Sequence, residues 1–130
     1  MVNWKNARSN VLKEKTLCFA LRIIKLNKYL CKKQNEFVLS KQILRSGTSI
    51  GALQRESEHA ESKLDFIHKL GIAQKECNET LYWLELLYGS EYIEEKMFLS
   101  LNNDAEEILK LLTSIIKTTK SNLKQLTINN

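Results

Sequence analysis

The chain has two histidines, and each follows an acid by three residues: Glu56-x-x-His59 and Asp65-x-x-His68. On a helix that spacing puts the carboxylate and the imidazole on one face, as in the metal sites of di-iron bundles. Those centres take one such pair from each of two helices and a glutamate from each of two more. Here both pairs flank a single loop, and the first helix offers only Glu14, near its start. The pairs read as solvated helix ends, and neither a metal nor any other cofactor is expected.

Nucleophilic and nuclease chemistry fares no better. Arg55-x-x-x-His59 is one residue short of the Arg-x(4–6)-His signature of HEPN-type bundle ribonucleases, and Glu56 stands where that signature carries Asn or Asp. Cys18, Cys31 and Cys77 are an odd set with no C-x-x-C pair, so they read as reduced, helix-embedded thiols in a cytoplasmic protein. Each fits a core gap better than a nucleophile's place. No catalytic constellation emerges, and the chain is expected not to be an enzyme.

The residues best suited to binding are cations. Arg22, Lys25, Lys32 and Lys33 lie on one arc of the first helix with Tyr29 among them. Cations track phosphates, and an aromatic ring can stack on an unpaired base, so this face is the candidate nucleic-acid site. It would contact the backbone of RNA or DNA and tolerate many sequences. The charge distribution points the same way. Residues 1–55 carry 12 Lys/Arg against 2 acids, residues 56–109 carry 4 Lys against 13 acids, and residues 110–130 carry 4 Lys and no acid. Such a division fits a polyanion partner, self-association of basic and acidic faces, or neutralisation of the first helix by the third inside one bundle.

The elements that must position these residues are helices. The 130 residues include no proline and only four glycines, which leaves few turns and argues against a sandwich or barrel of short strands. Hydrophobic residues make up 43% and charged residues 27%, a globular composition for a single domain over 1–130. No stretch approaches the ~18 apolar residues of a membrane span. Lys13-Glu14-Lys15 stands where a signal peptide would need an apolar run, so no leader is expected.

Four helices are predicted, over about 10–33, 41–57, 63–88 and 94–120, in an all-α antiparallel up-down-up-down bundle. In the first, with Ser9 or Asn10 as N-cap, Leu17, Ala20, Leu21, Ile24 and Cys31 share one arc. Leu12, Phe19, Ile23, Leu26 and Leu30 form an adjoining one. The second follows Ser40, and Gly47 and Gly51 on its buried face mark the close approach of another backbone. Ser62-x-x-Asp65 resembles a capping box for the third, which closes at Gly89 as its C′ residue. In the fourth, Phe98, Leu101, Ala105, Ile108, Leu112, Ile115 and Thr119 make a seam, Glu94 and Glu95 begin it, and Lys117 and Lys120 suit the dipole near its end. Residues 121–130 are expected to fray.

A lone bundle needs one apolar stripe of about 100° per helix. The first helix and the end of the third exceed that. A monomer would expose Trp83, Leu86 and part of the Phe19–Ile23–Leu30 arc, so these five residues are the expected interface of a homo-oligomer.

The segment Arg45-Ser46-Gly47-Thr48-Ser49-Ile50-Gly51-Ala52 resembles the R-S-x-T-S-I-G-A stretch of the bacterial four-helix bundle proteins, also called 23S rRNA intervening-sequence proteins. Lys63, Asp65-Phe66-Ile67, Ile72-Ala73, Lys75-Glu76, Tyr82-Trp83-Leu84 and the tail Leu111–Thr118 agree as well, so the likeness covers about residues 10–120. One departure is Leu53-Gln54 where members often read Asn-Ile. The resemblance implies a bundle assembled as a homopentameric ring. A similar pentameric bundle is the accessory protein of diversity-generating retroelements, which binds a reverse transcriptase and nucleic acid through a basic surface. The alternative expectation is therefore a protein-interaction scaffold that recruits a nucleic-acid enzyme of that kind.

Overall fold

The computed structural model describes residues 7–129, with side chains described to residue 126. Residues 1–6 and 130 of the predicted domain lie outside the described residues. The chain folds as four helices: α1 (Ala7–Lys33), α2 (Leu39–Ser57), α3 (Lys63–Gly89) and α4 (Glu95–Asn129). Among the described residues there is no strand, and the fold is an all-α four-helix bundle.

Side-chain pairs fix the register at all four seams. Asn27 with Ser40, and Thr16 beside Gly51, set α1 against α2. Ser46 with Thr80, and Glu56 with Lys69, set α2 against α3. Gln74 with Thr113, and the stacked Tyr88 and Phe98 rings, set α3 against α4. Lys15 with Glu107, and Arg22 with Ser100, close α4 on α1. In every pair one number rises as the other falls, so each neighbour runs antiparallel. The C-terminus of α1, the residues 34–38, the N-terminus of α2, the C-terminus of α3 and the N-terminus of α4 therefore share one end of the molecule.

Both glycines of α2 face α1, with different tolerances. A Cβ on Gly47 would lie 2.8 Å from Cγ1 of Ile23, closer than atoms pack, whereas one on Gly51 would sit at an ordinary 3.4 Å from Thr16. Close approach is thus strict at Gly47, and the group that demands it is a buried side chain rather than a backbone. At Gly51 the approach is real but leaves room for a methyl.

Helix ends differ from the sequence reading in four places. Ser9 is buried inside α1, which begins at Ala7, so it is no N-cap. Ser40 is inside α2; the cap is supplied from upstream by Glu36, whose buried carboxylate accepts from the amides of Val38, Leu39 and Ser40. At the end of α3 the left-handed residue is Glu91 (φ 67°), not Gly89, which is still helical. Residues 121–129 continue α4, where an unbroken run without Gly or Pro extends the helix instead of fraying it. Ser62 does cap α3, its Oγ accepting from the Asp65 amide at 3.0 Å.

The core also corrects the expected interface. Phe19, Ile23 and Leu30 are wholly buried within the one chain, together with Leu12 and Leu26. Leu17 (48% exposed), Leu21 (54%) and Ile24 (37%) stay outside. The two apolar arcs of α1 exchange the roles expected of them, because the arc that packs on Gly47 is the one that can close against α2. Trp83 and Leu86 are half-buried.

Candidate nucleic-acid interface

The predicted cationic face divides into engaged and free members. Arg22 reaches across to α4, where Nη1 donates to Asp104 at 2.6 Å and Nη2 to Ser100 at 2.9 Å. Its guanidinium holds the α1–α4 seam, which removes it from the set of free phosphate ligands. Tyr29 is half-buried, and its hydroxyl accepts from Gln34 Nε2 at 2.8 Å. Together with Arg22, Lys25, Leu26, Met97 and Leu101 it lines a cavity of about 260 Å³. Its ring is part of a wall rather than an outward platform. Lys25, Lys32 and Lys33 are exposed, and none has an acidic partner among the described residues.

The fold adds cations that the arc in α1 omitted. Lys28 is exposed on the outer side of α1, and Lys41 in the first turn of α2 comes to the same end of the bundle. Neither carries an acidic partner among the described residues. Lys41 was legible only once the antiparallel pairing of α1 and α2 was known; its spacing in sequence carries no signal.

Between these lysines lies a turn with an unusual exposure pattern. Phe37 is 61% and Val38 71% exposed, although the turn itself is firmly held. The Glu36 amide donates to Leu30 O at 2.9 Å, and Ser40 Oγ donates back to Glu36 O at 2.8 Å. Asn35 adopts the left-handed conformation (φ 50°) that brings the chain round.

Elsewhere opposite charges are paired across seams. Lys15 meets Glu107 at 3.1 Å, Lys13 meets Glu58 at 3.2 Å and Lys69 meets Glu56 at 3.3 Å. Arg45 is held by Glu76 and Glu79, and Glu79 also accepts from Trp83 Nε1 at 2.9 Å. Three cations of the first helix, Lys13, Lys15 and Arg22, thus meet acids from α4 and from Glu58 just past α2, and none of these acids comes from the third helix, which lies diagonally opposite.

The residues weighed for catalysis do not converge. The Glu56 carboxylate is paired with Lys69, and that of Asp65 accepts from the Glu61 amide at 3.2 Å. His59, His68 and Arg55 are exposed. Among the described residues no three His, Cys, Asp or Glu side chains are grouped to hold a metal ion. Cys77 is buried, and its Sγ donates to Ala105 O at 3.2 Å. Burial, helped by the charge of Glu106, pushes its thiol up to about 12, far from the range of a nucleophile. Among the described residues no helix is long and apolar enough to cross a membrane.

Comparison with known proteins agrees with the bundle. The crystal structure of a protein of unknown function from the S23 ribosomal protein family of Bacteroides thetaiotaomicron VPI-5482 is 62% identical. It superposes with a TM-score of 0.84 over 85% of this chain and 98% of that one. No curated protein matches the sequence. The family model of the 23S rRNA-intervening sequence protein matches residues 8–114, which takes in α1 but for its first residue, all of α2 and α3, and α4 as far as residue 114. With four helices, the Arg45–Ala52 segment in place and a match of that extent, the chain belongs to the 23S rRNA-intervening sequence protein family.

Proposed function

We propose that this protein is a non-catalytic, cytoplasmic bundle that assembles with copies of itself and binds the backbone of RNA or DNA. The observation that carries the reading is the set of exposed lysines on α1, Lys25, Lys32 and Lys33, none of which has an acidic partner among the described residues. Unpaired cations gathered on one side attract a polyanion and release its counterions on binding. Assembly rests on the outward stripe of Leu17, Leu21 and Ile24, which water disfavours and a second copy would cover. A ring of five, as the family resemblance implies, would multiply the lysine face.

The test is binding of nuclease-treated protein to labelled RNA and duplex DNA across a salt series. Log K should fall linearly with log salt. Lys25→Glu/Lys32→Glu/Lys33→Glu should weaken binding by at least about tenfold and flatten the slope. Arg22→Ala should leave the slope unchanged, because that side chain serves the α1–α4 seam. Absence of binding to both polymers across the whole salt series, down to ~50 mM, defeats the reading, since phosphate contacts are strongest at low salt. The same apolar stripe supports the second reading, a scaffold for a nucleic-acid enzyme such as a reverse transcriptase. A stoichiometric protein partner that survives nuclease treatment and is lost on Leu21→Glu would favour it.

A further inference from the structure

The turn between α1 and α2 has a property that phosphate contacts alone do not use. Of the three apolar residues 37–39, Leu39 packs against the core while Phe37 and Val38 face water. A loose loop would fold so large a ring onto the nearest apolar surface. Here the backbone on both sides is pinned: the Glu36 carboxylate receives three amides, its own amide is fixed to Leu30, and Asn27 Nδ2 donates to Ser40 O at 3.1 Å. The ring is therefore displayed by a rigid frame and loses little conformational freedom when something stacks on it.

Its surroundings define that something. Lys28, Lys32 and Lys33 precede the turn and Lys41 follows it, all exposed and none with an acidic partner among the described residues. Lys28 and Lys32, four residues apart, share one face of α1 over about 6 Å of helix axis, roughly the spacing of one nucleotide, and Lys33 stands on the neighbouring face. Exposed aromatics between cations bind single strands, since every unpaired base offers a face to stack and a phosphate to either side. The other half of the same end carries Glu91, Glu94 and Glu95, exposed at the junction of α3 and α4, against a single exposed lysine there, Lys96. A broad anionic object, whether a duplex or a lipid surface, would meet those carboxylates. A single strand is narrow enough to keep to the α1–α2 half.

We propose that the α1–α2 turn is a base-stacking platform for single-stranded nucleic acid, with Phe37 as the stacking face and Lys28, Lys32, Lys33 and Lys41 holding the flanking phosphates. This deepens the nucleic-acid reading above and rests on it. Tyr29, the aromatic that sequence favoured, is set in the wall beside Arg22 and leaves that role to Phe37.

The experiment uses the full chain and four labelled probes at ~150 mM salt: a single-stranded RNA, a single-stranded DNA, an abasic strand of the same length and charge, and a duplex. The expected result is tighter binding of both base-bearing single strands than of the abasic strand and the duplex. Phe37→Ala should cost at least about fivefold on the single strands and nothing on the abasic strand, at the lower limit of what one stack contributes. Phe37→Trp should restore binding, with its fluorescence quenched on addition of strand. Circular dichroism confirms that the exposed substitution leaves the helices intact. Equal binding of all four probes, or a Phe37→Ala variant indistinguishable from wild type, overturns the platform while leaving phosphate binding standing. No binding of any probe, down to ~50 mM salt, overturns both. Binding to anionic phosphatidylserine vesicles that needs Phe37, without preference for single strands, overturns it in favour of a lipid surface.

Discussion

Gly47 and Gly51 are four residues apart on one helix face, yet a methyl group added to each has opposite consequences. At Gly47 it would press into the buried Ile23 side chain at 2.8 Å, an overpacking cost of about 1–3 kcal/mol set against a helix-propensity gain of about 1. At Gly51 it would make an ordinary contact with Thr16, so the propensity gain stands. Urea unfolding should find Gly47→Ala less stable than wild type and Gly51→Ala more stable by up to about 1 kcal/mol. The reverse order would mean that Ile23 can move aside. Cys77 supplies a second prediction at this scale. Burial raises its thiol from 9.0 to about 12 in the folded chain, so the native state keeps its proton where the unfolded chain has lost it. Its contribution is whole below about pH 9 and declines as pH rises towards 12, at up to ~1.4 kcal/mol per unit. The stability advantage of wild type over Cys77→Ala should accordingly shrink by about 2 kcal/mol between pH 8 and pH 10.5. An advantage constant with pH would show that the thiol ionises equally in both states.

At the scale of elements, α2 starts at Leu39, two residues before the position read from the sequence, and its capping group comes from upstream. A serine just before an apolar helix is the favoured N-cap, and Ser40 fits that rule. The chain instead turns through Asn35 and brings Glu36 under the helix end, where one buried carboxylate takes three amides. Spacing alone does not reveal it, since Glu36 lies three residues before α2 begins. Removing it with Glu36→Ala should cost about 1–2 kcal/mol, with the loss seen in chemical denaturation. Hydrogen exchange should place the loosening in the first turn of α2; uniform loosening of all four helices would contradict this account. The two arcs of α1 carry the other lesson. Period identified both, but Leu17–Leu21–Ile24 and Phe19–Ile23–Leu30 adjoin, and hydrophobicity does not rank them. The fit of Ile23 against a residue without a side chain decides which goes in.

Across the whole molecule, charge organises what packing leaves free. The basic residues 1–55 and the acidic residues 56–109 meet at the α1–α4 and α2–α3 seams, where Arg22 finds Asp104 and Arg45 finds Glu76 and Glu79. Lys25, Lys28, Lys32, Lys33 and Lys41 have no acidic partner among the described residues, a condition shared by Lys75 on α3 and by Lys96, Lys110, Lys117, Lys120 and Lys124 along α4. Leu21→Glu should lower the mass of any assembly measured by light scattering without changing helix content, since that side chain is 54% exposed within one chain. An unaltered mass would take the α1 stripe out of the interface.

The number of helices, their approximate bounds, their antiparallel order and the family were all present in the sequence, because apolar period, Ser62-type caps and the Arg45–Ala52 segment are local patterns. Lys25, Lys32 and Lys33 were likewise legible as free cations. Tertiary structure alone decided that Arg22 is engaged, that Tyr29 lies in a wall, that Phe37 stands out between lysines from two helices, and which arc of α1 is core. Arg22 depends on Asp104, the setting of Tyr29 on Met97 and Leu101, and the choice of arc on Gly47, all distant in sequence, and a one-dimensional period carries no information about what lies opposite.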